Sequence, residues 1–169
     1  MQLILGGARS GKSRLAEQIA QQLAQPVVYV ATAQALDGEM QARIQHHHQQ
    51  RPEDWGLCEE PIYLAEQLVK LDRPNQTILV DCLTLWVSNL LLAGRDATRE
   101  VEDVIAALKA RRADTILVSN EVGLGIVPDN ALARDFRDGA GIVNQKIAAM
   151  ADRVVFVADG LPLVLKGAL

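Results

Sequence analysis

Short apolar runs alternate with longer segments of helical periodicity along most of the chain. The runs are rich in Val, Ile and Leu and show little alternation with polar residues, which is typical of strands covered on both faces. They predict strands at residues 3–5, 27–31, 77–80, 115–119 and 154–158. The segments between them predict helices at residues 12–24, 38–50, 61–71, 83–93, 98–111 and 130–151. This alternation predicts an α/β domain built on a mostly parallel sheet.

The end of the chain departs from this alternation. Two strand-like segments in VVFVADGLPLVLK are joined through Asp159 and Gly160, and Asp-Gly is a strong hairpin signal. We therefore expect the final strand to pair antiparallel at an edge of the sheet. Residues 93–100, AGRDATRE, are the expected exposed connection.

Composition and charge narrow the classes of function. The chain has 169 residues, of which 22% are charged, and a net charge of −4, so neither a broad basic surface nor a nucleic-acid partner is expected. Its apolar runs are far shorter than the roughly 20 residues of a transmembrane helix, and the N-terminus shows no signal-peptide pattern. Cys58 and Cys82 lack CxxC spacing and are expected to be free thiols. These features predict a cytoplasmic protein without a membrane span.

The clearest motif is GGARSGKS, which fits the phosphate-loop pattern G-x-x-x-x-G-K-[ST] between a predicted strand and a predicted helix. Its glycines let backbone N–H groups point at phosphate oxygens, and the helix N-terminus adds a positive dipole end. Lys12 is expected to reach the β- and γ-phosphates, and the Ser13 hydroxyl to bind Mg²⁺. The predicted phosphate-binding residues are Gly6, Gly7, Ala8, Arg9, Ser10, Gly11, Lys12 and Ser13.

A second strand supplies an acidic group. The apolar run of TILVDC ends at Asp81, which is expected to hold Mg²⁺ through water, although an Asp at this position also fits the cap of the following helix. Together these elements predict a P-loop NTPase (RecA-like) three-layer fold in one nucleotide-binding domain, residues 1–169, with a mostly parallel sheet and an antiparallel C-terminal edge hairpin. They predict binding of a nucleoside triphosphate without identifying the reaction.

All histidines of the chain are adjacent, at His46, His47 and His48. Asp37 fits the N-cap of a helix that contains them. At about 100° per residue, His47 falls on the apolar stripe of that helix, whereas His46 points to another side. Adjacent helical residues do not converge on one ion, so a metal site formed by this run alone is not expected. His46 is the best candidate for chemistry, and a merely solvated His46 is the alternative.

Other candidate residues follow the predicted strands at their carboxyl ends, where ligands bind in open α/β sheets. Arg51, in QQRP, either contacts phosphate or base or is a surface arginine before a proline turn. NEVGLGIVP follows the fourth predicted strand, and its Gly123 and Gly125 suggest a loop that a ligand approaches closely. The expected nucleotide neighbours after the second strand are Thr32, Ala33 and Gln34.

Over essentially its whole length, the chain resembles the bifunctional adenosylcobinamide kinase/adenosylcobinamide-phosphate guanylyltransferase family of cobalamin biosynthesis. The resemblance rests on GGARSGKSRLAE, on YVATAQALDGEMQARIQHH followed by RPEDW, on VSNEVGLGIVPDNALARDFRDGAGIVNQKIA and on the terminal hairpin. Many families share the phosphate loop, whereas EMQARIQHH with RPEDW, and NEVGLGIVP, are far more specific.

The resemblance implies two reactions. ATP or GTP phosphorylates the aminopropanol hydroxyl of adenosylcobinamide; GTP then transfers GMP to a histidine, and the enzyme passes it to adenosylcobinamide phosphate, which gives adenosylcobinamide-GDP and pyrophosphate. The GMP-bearing histidine is implied to be His46, with His47 as the alternative, because His48 departs from the two-histidine pattern of the family. The resemblance also implies Glu59 as a nucleotide-binding residue, Mg²⁺ as a cofactor, and a homo-oligomer, a trimer among known members.

Other functions stay open on the sequence alone. The sequence contains every part that a P-loop small-molecule kinase without guanylyl transfer needs, and the histidine run would then be incidental. A GTPase or metallochaperone would bind nickel or zinc through a His-rich site, but such proteins usually carry an N-K-x-D motif that SNEV, after the fourth strand, does not match. Guanylyl transfer without the kinase step is disfavoured by the intact phosphate loop.

Overall fold

A computed structural model describes residues 1–35, 38, 41 and 52–168 of the protein. The predicted helix at 38–50 lies almost entirely outside the described residues, and so do the predictions for Asp37, His46, His47, His48 and Arg51. The strands are β1 (Gln2–Gly6), β2 (Val27–Ala31), β3 (Gly56–Glu59), β4 (Thr77–Asp81), β5 (Asp114–Asn120), β6 (Arg153–Ala158) and β7 (Leu161–Lys166). The helices with defined bounds are α1 (Lys12–Gln22), α2 (Leu64–Leu71), α3 (Leu83–Leu92), α4 (Ala97–Ala110) and α5 (Ala131–Met150).

The strands form one sheet in the order β3-β2-β4-β5-β1-β6-β7. All neighbouring pairs are parallel except β6 and β7, which are antiparallel. Asp159 and Gly160 form the turn of this hairpin with φ angles of 51° and 80°, as a two-residue turn with both central residues at positive φ requires. The predicted α/β fold, with a mostly parallel sheet and an antiparallel C-terminal edge hairpin, is confirmed.

Helices cover both faces of the sheet, and each buries its apolar side. α1 places Ala16, Ile19 and Ala20 at helical spacing against one face. On the opposite face, α2 to α5 bury a larger cluster with the strands. The fully buried Trp86 lies in that cluster and donates its indole N–H to the Ile62 carbonyl at 2.8 Å. Because the strands between these two layers of helices are parallel, their carboxyl ends lie at the same edge of the sheet.

Three element predictions need correction. β3 was not predicted, because it is a short edge strand whose residues are mostly exposed and carry no apolar run. The segment 93–100 was expected to be a connection, but α4 begins at Ala97 with Asp96 as its N-cap and the Asp96 carboxylate accepting the Thr98 N–H at 2.9 Å. The helix predicted from residue 61 begins at Leu64.

A further prediction concerns the two cysteines, which were expected to be free thiols. Cys58 and Cys82 are both free. Burial raises the pKa of the Cys82 thiol to about 11, and the neighbouring Asp81 carboxylate adds to this effect, so its thiolate is scarce at neutral pH.

None of the helices in the described ranges is long and apolar enough to cross a lipid bilayer.

Candidate active site

The phosphate loop joins the carboxyl end of β1 to the start of α1. Gly11 is the N-cap of α1 in the left-handed region, at φ 94°, and no side chain caps the helix. The first backbone N–H groups of α1 therefore lack a side-chain cap and lie at the positive end of the helix dipole. This is the local arrangement that binds phosphate.

Two polar side chains lie inside this loop. Lys12 is 8% exposed, and its Nζ donates to the Gly7 carbonyl at 3.1 Å. The Ser10 hydroxyl oxygen is buried and has no hydrogen-bond partner among the described residues. A buried hydroxyl without a partner is costly, and a phosphate oxygen would supply an acceptor for it.

The loop is tightly packed against β6 and the β6–β7 turn. A Cβ on Gly6 would lie 2.5 Å from both the Val157 carbonyl oxygen and the Ser10 hydroxyl oxygen. The Gly160 N–H donates to the Ser10 carbonyl at 2.9 Å, and a Cβ on Gly11 would lie 3.4 Å from the Gly160 Cα. The terminal hairpin thus supports the phosphate loop, a role that the sequence did not indicate.

Asp81 ends β4 at the same edge of the sheet. β5 separates β4 from β1, so Asp81 lies two strand spacings, about 10 Å, from the strand that carries the phosphate loop. The N-cap of α3 is Cys82, and it makes no side-chain cap, so the helix-capping alternative for Asp81 is not supported. With the Ser13 hydroxyl, the Asp81 carboxylate offers only oxygen donors, which fits Mg²⁺.

Thr32 holds the chain that follows Asp81. Its fully buried hydroxyl donates to the Cys82 carbonyl at 2.7 Å and accepts the Cys82 N–H at 2.9 Å. The Asn89 amide in turn donates to the Thr32 carbonyl at 2.7 Å. The side chain of Thr32 therefore fixes the position of Asp81, while the half-buried Ala33 and Gln34 continue along the edge.

Glu59 lies farther along this edge. It ends β3 and pairs in register with Ala31 of β2, which places it four strand spacings, about 19 Å, from β1. The next residue, Glu60, has a local structural role, because its carboxylate accepts the N–H groups of Ile62 and Tyr63 at 3.0 and 2.8 Å. Glu59 is exposed and thus lies where the far part of an extended ligand would reach.

The sequence did not single out Glu121, which follows β5 directly. The Glu121 N–H donates to the Gly6 carbonyl at 3.0 Å, so this residue lies beside the first residue of the phosphate loop. Its carboxylate accepts the Gly123 N–H. Of the strands at this edge, β5 is the one between β1 and β4, and Glu121 therefore lies between the phosphate loop and Asp81.

Comparison with known proteins identifies the family. The model of a family described as cobinamide kinase / cobinamide phosphate guanyltransferase matches residues 2–165. The chain belongs to this family. The predictions of a cobalamin-biosynthesis enzyme, and of kinase and guanylyltransferase activities, are thereby confirmed, and the GTPase and metallochaperone alternatives do not fit the family.

Curated relatives cover nearly the whole chain. The Bifunctional adenosylcobalamin biosynthesis protein CobP of Pseudomonas aeruginosa is 50% identical over 168 residues, which cover 98% of this chain and 96% of that protein. The proteins named Bifunctional adenosylcobalamin biosynthesis protein CobU of Escherichia coli K12 and Salmonella typhimurium are 44% and 45% identical, and each alignment covers 98% of this chain and 99% of the relative.

A solved structure supports the fold alone. The structure described as a study of PH0250 from Pyrococcus horikoshii OT3 is similar with a TM-score of 0.59 at 11% identity, and the match covers 100% of this chain and 87% of that chain.

Proposed function

We propose that this chain phosphorylates the aminopropanol hydroxyl of adenosylcobinamide with ATP or GTP and then transfers GMP from GTP, through His46, to the phosphate just made. The products are adenosylcobinamide-GDP and pyrophosphate. One observation carries the proposal: in a member of this family, the buried Lys12 of the phosphate loop lies at the same sheet edge as Asp81.

In the first reaction, the phosphate loop binds the triphosphate and orients it. Lys12 and the N-terminal N–H groups of α1 stabilise the negative charge of the transferring phosphoryl group, which is the main catalytic requirement in this chemistry. Ser13 and Asp81 are the residues that would hold Mg²⁺. When bound, Mg²⁺ would neutralise part of the phosphate charge.

In the second reaction, His46 is the proposed nucleophile. A neutral imidazole nitrogen attacks the α-phosphorus of GTP; the nitrogen–phosphorus bond forms as the α–β bridging bond breaks, and pyrophosphate leaves. A phosphate oxygen of adenosylcobinamide phosphate then attacks the same phosphorus and releases the histidine. The helical phase predicted for His46 from the sequence and the family resemblance support this role, and His47 is the alternative.

Further residues and properties belong to the proposal. Ala33, Gln34 and Glu59 are proposed to bind the nucleotide along the β2–β3 part of the edge, and Arg51 to contact phosphate or base. Thr32, which is fully buried, is proposed to support this edge through its hydrogen bonds to Cys82 rather than to contact the nucleotide. We further propose that the protein acts in the cytoplasm, that residues 1–169 form one domain, and that the enzyme is a homo-oligomer, as the resemblance implies. No nucleic-acid partner is proposed, because the net charge is −4.

GTP labelled at two positions tests the proposal. With adenosylcobinamide, γ-labelled GTP should pass its label to the corrinoid, whereas α-labelled GTP should pass its label first to the protein. Lys12→Ala should lose the γ-label transfer, while Lys70→Ala, at an exposed lysine of α2 whose side chain is 62% accessible, should keep it. Absence of both transfers in the folded wild-type protein would refute the proposed function.

A further inference from the structure

The phosphorylation step needs an acceptor for the proton of the substrate hydroxyl. As the hydroxyl oxygen attacks the γ-phosphorus, the oxygen–phosphorus bond forms, the β–γ bridging bond breaks and the nucleoside diphosphate leaves. The hydroxyl proton must go to a base that lies within hydrogen-bond distance of the attacking oxygen. A carboxylate at the γ-phosphate end of the phosphate loop is the kind of group that meets this need.

Position along the sheet edge distinguishes the acidic residues there. Glu59 ends a strand about four spacings, or 19 Å, from β1, and the Glu60 carboxylate is held by the N–H groups that precede α2. Asp81 is assigned to the metal. Asp159 follows β6, which lies on the side of β1 away from Asp81. Glu121 follows β5, the other neighbour of β1, about one spacing or 5 Å away, and is the carboxylate that lies between the phosphate loop and Asp81.

Hydrogen bonds from three elements fix the end of β5 that carries Glu121. The Asn120 N–H donates to the Thr84 hydroxyl of α3 at 2.6 Å, and the Asn144 amide of α5 donates to the Asn120 carbonyl at 3.0 Å. The Glu121 N–H donates to the Gly6 carbonyl of β1 at 3.0 Å. A catalytic group needs such support, because small displacements from the productive geometry are costly.

The carboxylate itself is oriented and keeps acceptor capacity. Glu121 Oε1 accepts the Gly123 N–H, which uses one of about four acceptor positions of the ionised group. The side chain is half-buried, so it is still accessible from the edge. A substrate hydroxyl can therefore donate to the remaining positions.

The loop after β5 presents apolar surface at the same edge. Residues 121–130, here called the acceptor loop, are held at the far end by Arg134, whose guanidinium donates to the Pro128 and Asp129 carbonyls at 3.0 and 2.7 Å. Between its two ends, the exposed fractions are 84% for Leu124 and 97% for Ile126. These exposed apolar side chains lie in the loop that begins at Glu121 and are therefore available to contact an acceptor substrate that approaches this carboxylate.

We propose that the Glu121 carboxylate is the general base that accepts the hydroxyl proton of the cobinamide substrate during phosphorylation. This inference rests on the proposed function. It assigns different roles to Asp81 and Glu121: Asp81 would help to hold Mg²⁺, and Glu121 would accept the proton of the acceptor hydroxyl. The guanylylation of the enzyme by GTP involves no substrate hydroxyl and should not need Glu121.

The primary test is Glu121→Gln, which keeps the Oε1 acceptor for the Gly123 N–H. Its kcat for phosphorylation should fall about 10²–10⁴-fold, the usual contribution of a general base, while the nucleotide KM and formation of the GMP adduct stay unchanged. Asp129→Asn removes the same charge from the same loop and should keep the wild-type kcat. Wild-type kcat in Glu121→Gln, or an equal loss of both reactions, would overturn the proposal.

A second pair of variants moves the carboxylate without removing it. A Cβ on Gly123 would lie 2.9 Å from Glu121 Oε1, whereas a Cβ on Gly141, an exposed residue of α5, would meet nothing within 4 Å, and neither backbone conformation disfavours alanine. Gly123→Ala should therefore reduce the kcat for phosphorylation and leave adduct formation intact, and Gly141→Ala should change neither. Equal kcat in the two variants would contradict the proposal, and a wild-type protein that does not phosphorylate adenosylcobinamide would refute the proposed function instead.

Discussion

The phosphate loop and the acceptor loop leave neighbouring strands at the same edge of the sheet, yet their packing is opposite. In the phosphate loop, Lys12 is 8% exposed, and a Cβ on Gly6 would lie 2.5 Å from two other atoms. In the acceptor loop, Ile126 is 97% exposed and Gly125 has nothing within 4 Å of an added Cβ.

This difference in packing fits the two ligands that we propose for these loops, the nucleoside triphosphate and the acceptor substrate. A triphosphate presents the same oxygens whichever nucleoside it carries, so a rigid, preformed set of donors suits it and costs no reorganisation on binding. The acceptor loop is fixed at Glu121 and Arg134 but leaves its apolar side chains open. Substitutions should therefore act differently in the two loops.

Within the phosphate loop, the largest effect is expected at Lys12. Lys12→Ala removes a buried cation from the phosphate loop and should lower the kcat for phosphorylation of adenosylcobinamide by about 10²–10³-fold, the usual cost of losing one charge-stabilising donor. Steady-state kinetics with γ-labelled GTP measures this loss, and circular dichroism verifies that the variant is folded. A folded Lys12→Ala protein with normal turnover would remove Lys12 from the mechanism.

Asp81→Asn should have the next largest effect. If Asp81 holds Mg²⁺ as proposed, the loss of its charge should raise the Mg²⁺ concentration needed for half-maximal activity by about 10–100-fold. The same titration on Asp135→Asn, at an exposed position of α5, should match the wild type. Identical Mg²⁺ titrations for Asp81→Asn and the wild type would disprove the metal role.

Gly6→Ala and Gly7→Ala test the packing of the phosphate loop. Alanine at residue 6 would approach the Val157 carbonyl, whereas at residue 7 it would meet nothing within 4 Å. Overpacking of this kind costs about 1–3 kcal/mol, so Gly6→Ala should unfold at lower denaturant concentration and bind GTP more weakly, whereas Gly7→Ala should keep the wild-type denaturation midpoint. Equal denaturation midpoints would mean that the hairpin does not constrain the loop.

The smallest effect is expected at Ile126. Because its side chain is 97% exposed, Ile126→Ala should change the free energy of unfolding by less than about 0.5 kcal/mol. The same substitution at Ile147 of α5, which is fully buried, should cost about 2–5 kcal/mol. Chemical denaturation of both variants measures the contrast. A large destabilisation by Ile126→Ala would show that the acceptor loop is packed rather than open.

Local patterns were sufficient to predict the central elements. Buried parallel strands are continuous apolar runs, the phosphate-loop motif lies between a strand and a helix, and Asp159-Gly160 specifies the hairpin turn through positive φ angles. β3 was not predicted because an edge strand that is largely exposed to solvent does not need the continuous apolar run by which the buried strands were identified. The start of α2 was misplaced because Glu60 binds the preceding N–H groups and delays the helix to Leu64.

The contacts that organise the site are not encoded locally. The need for glycine at residue 6 is imposed by the Val157 carbonyl of a distant strand, and the position of Glu121 is set by the Gly6 carbonyl. The phosphate-loop motif includes Gly6 but does not indicate its partner on the distant strand, and no motif or periodicity marks Glu121. In NEVGLGIVP, the sequence pattern indicated the glycines as candidates for a close ligand approach, whereas the residue next to the phosphate loop is Glu121, which precedes them.

One chain is proposed to perform two transfers with separable machinery, and mapping the GMP adduct tests whether the two can be separated. Wild type, His46→Ala and His47→Ala would each be incubated with α-labelled GTP and Mg²⁺, denatured and analysed by peptide mass spectrometry. We expect an acid-labile, alkali-stable adduct on His46, its loss in His46→Ala with phosphorylation of adenosylcobinamide retained, and labelling of any folded His47→Ala. An adduct on His47 in the His46→Ala protein would show that His46 is not the required nucleophile. An unlabelled wild-type protein would contradict the guanylyl-transfer mechanism.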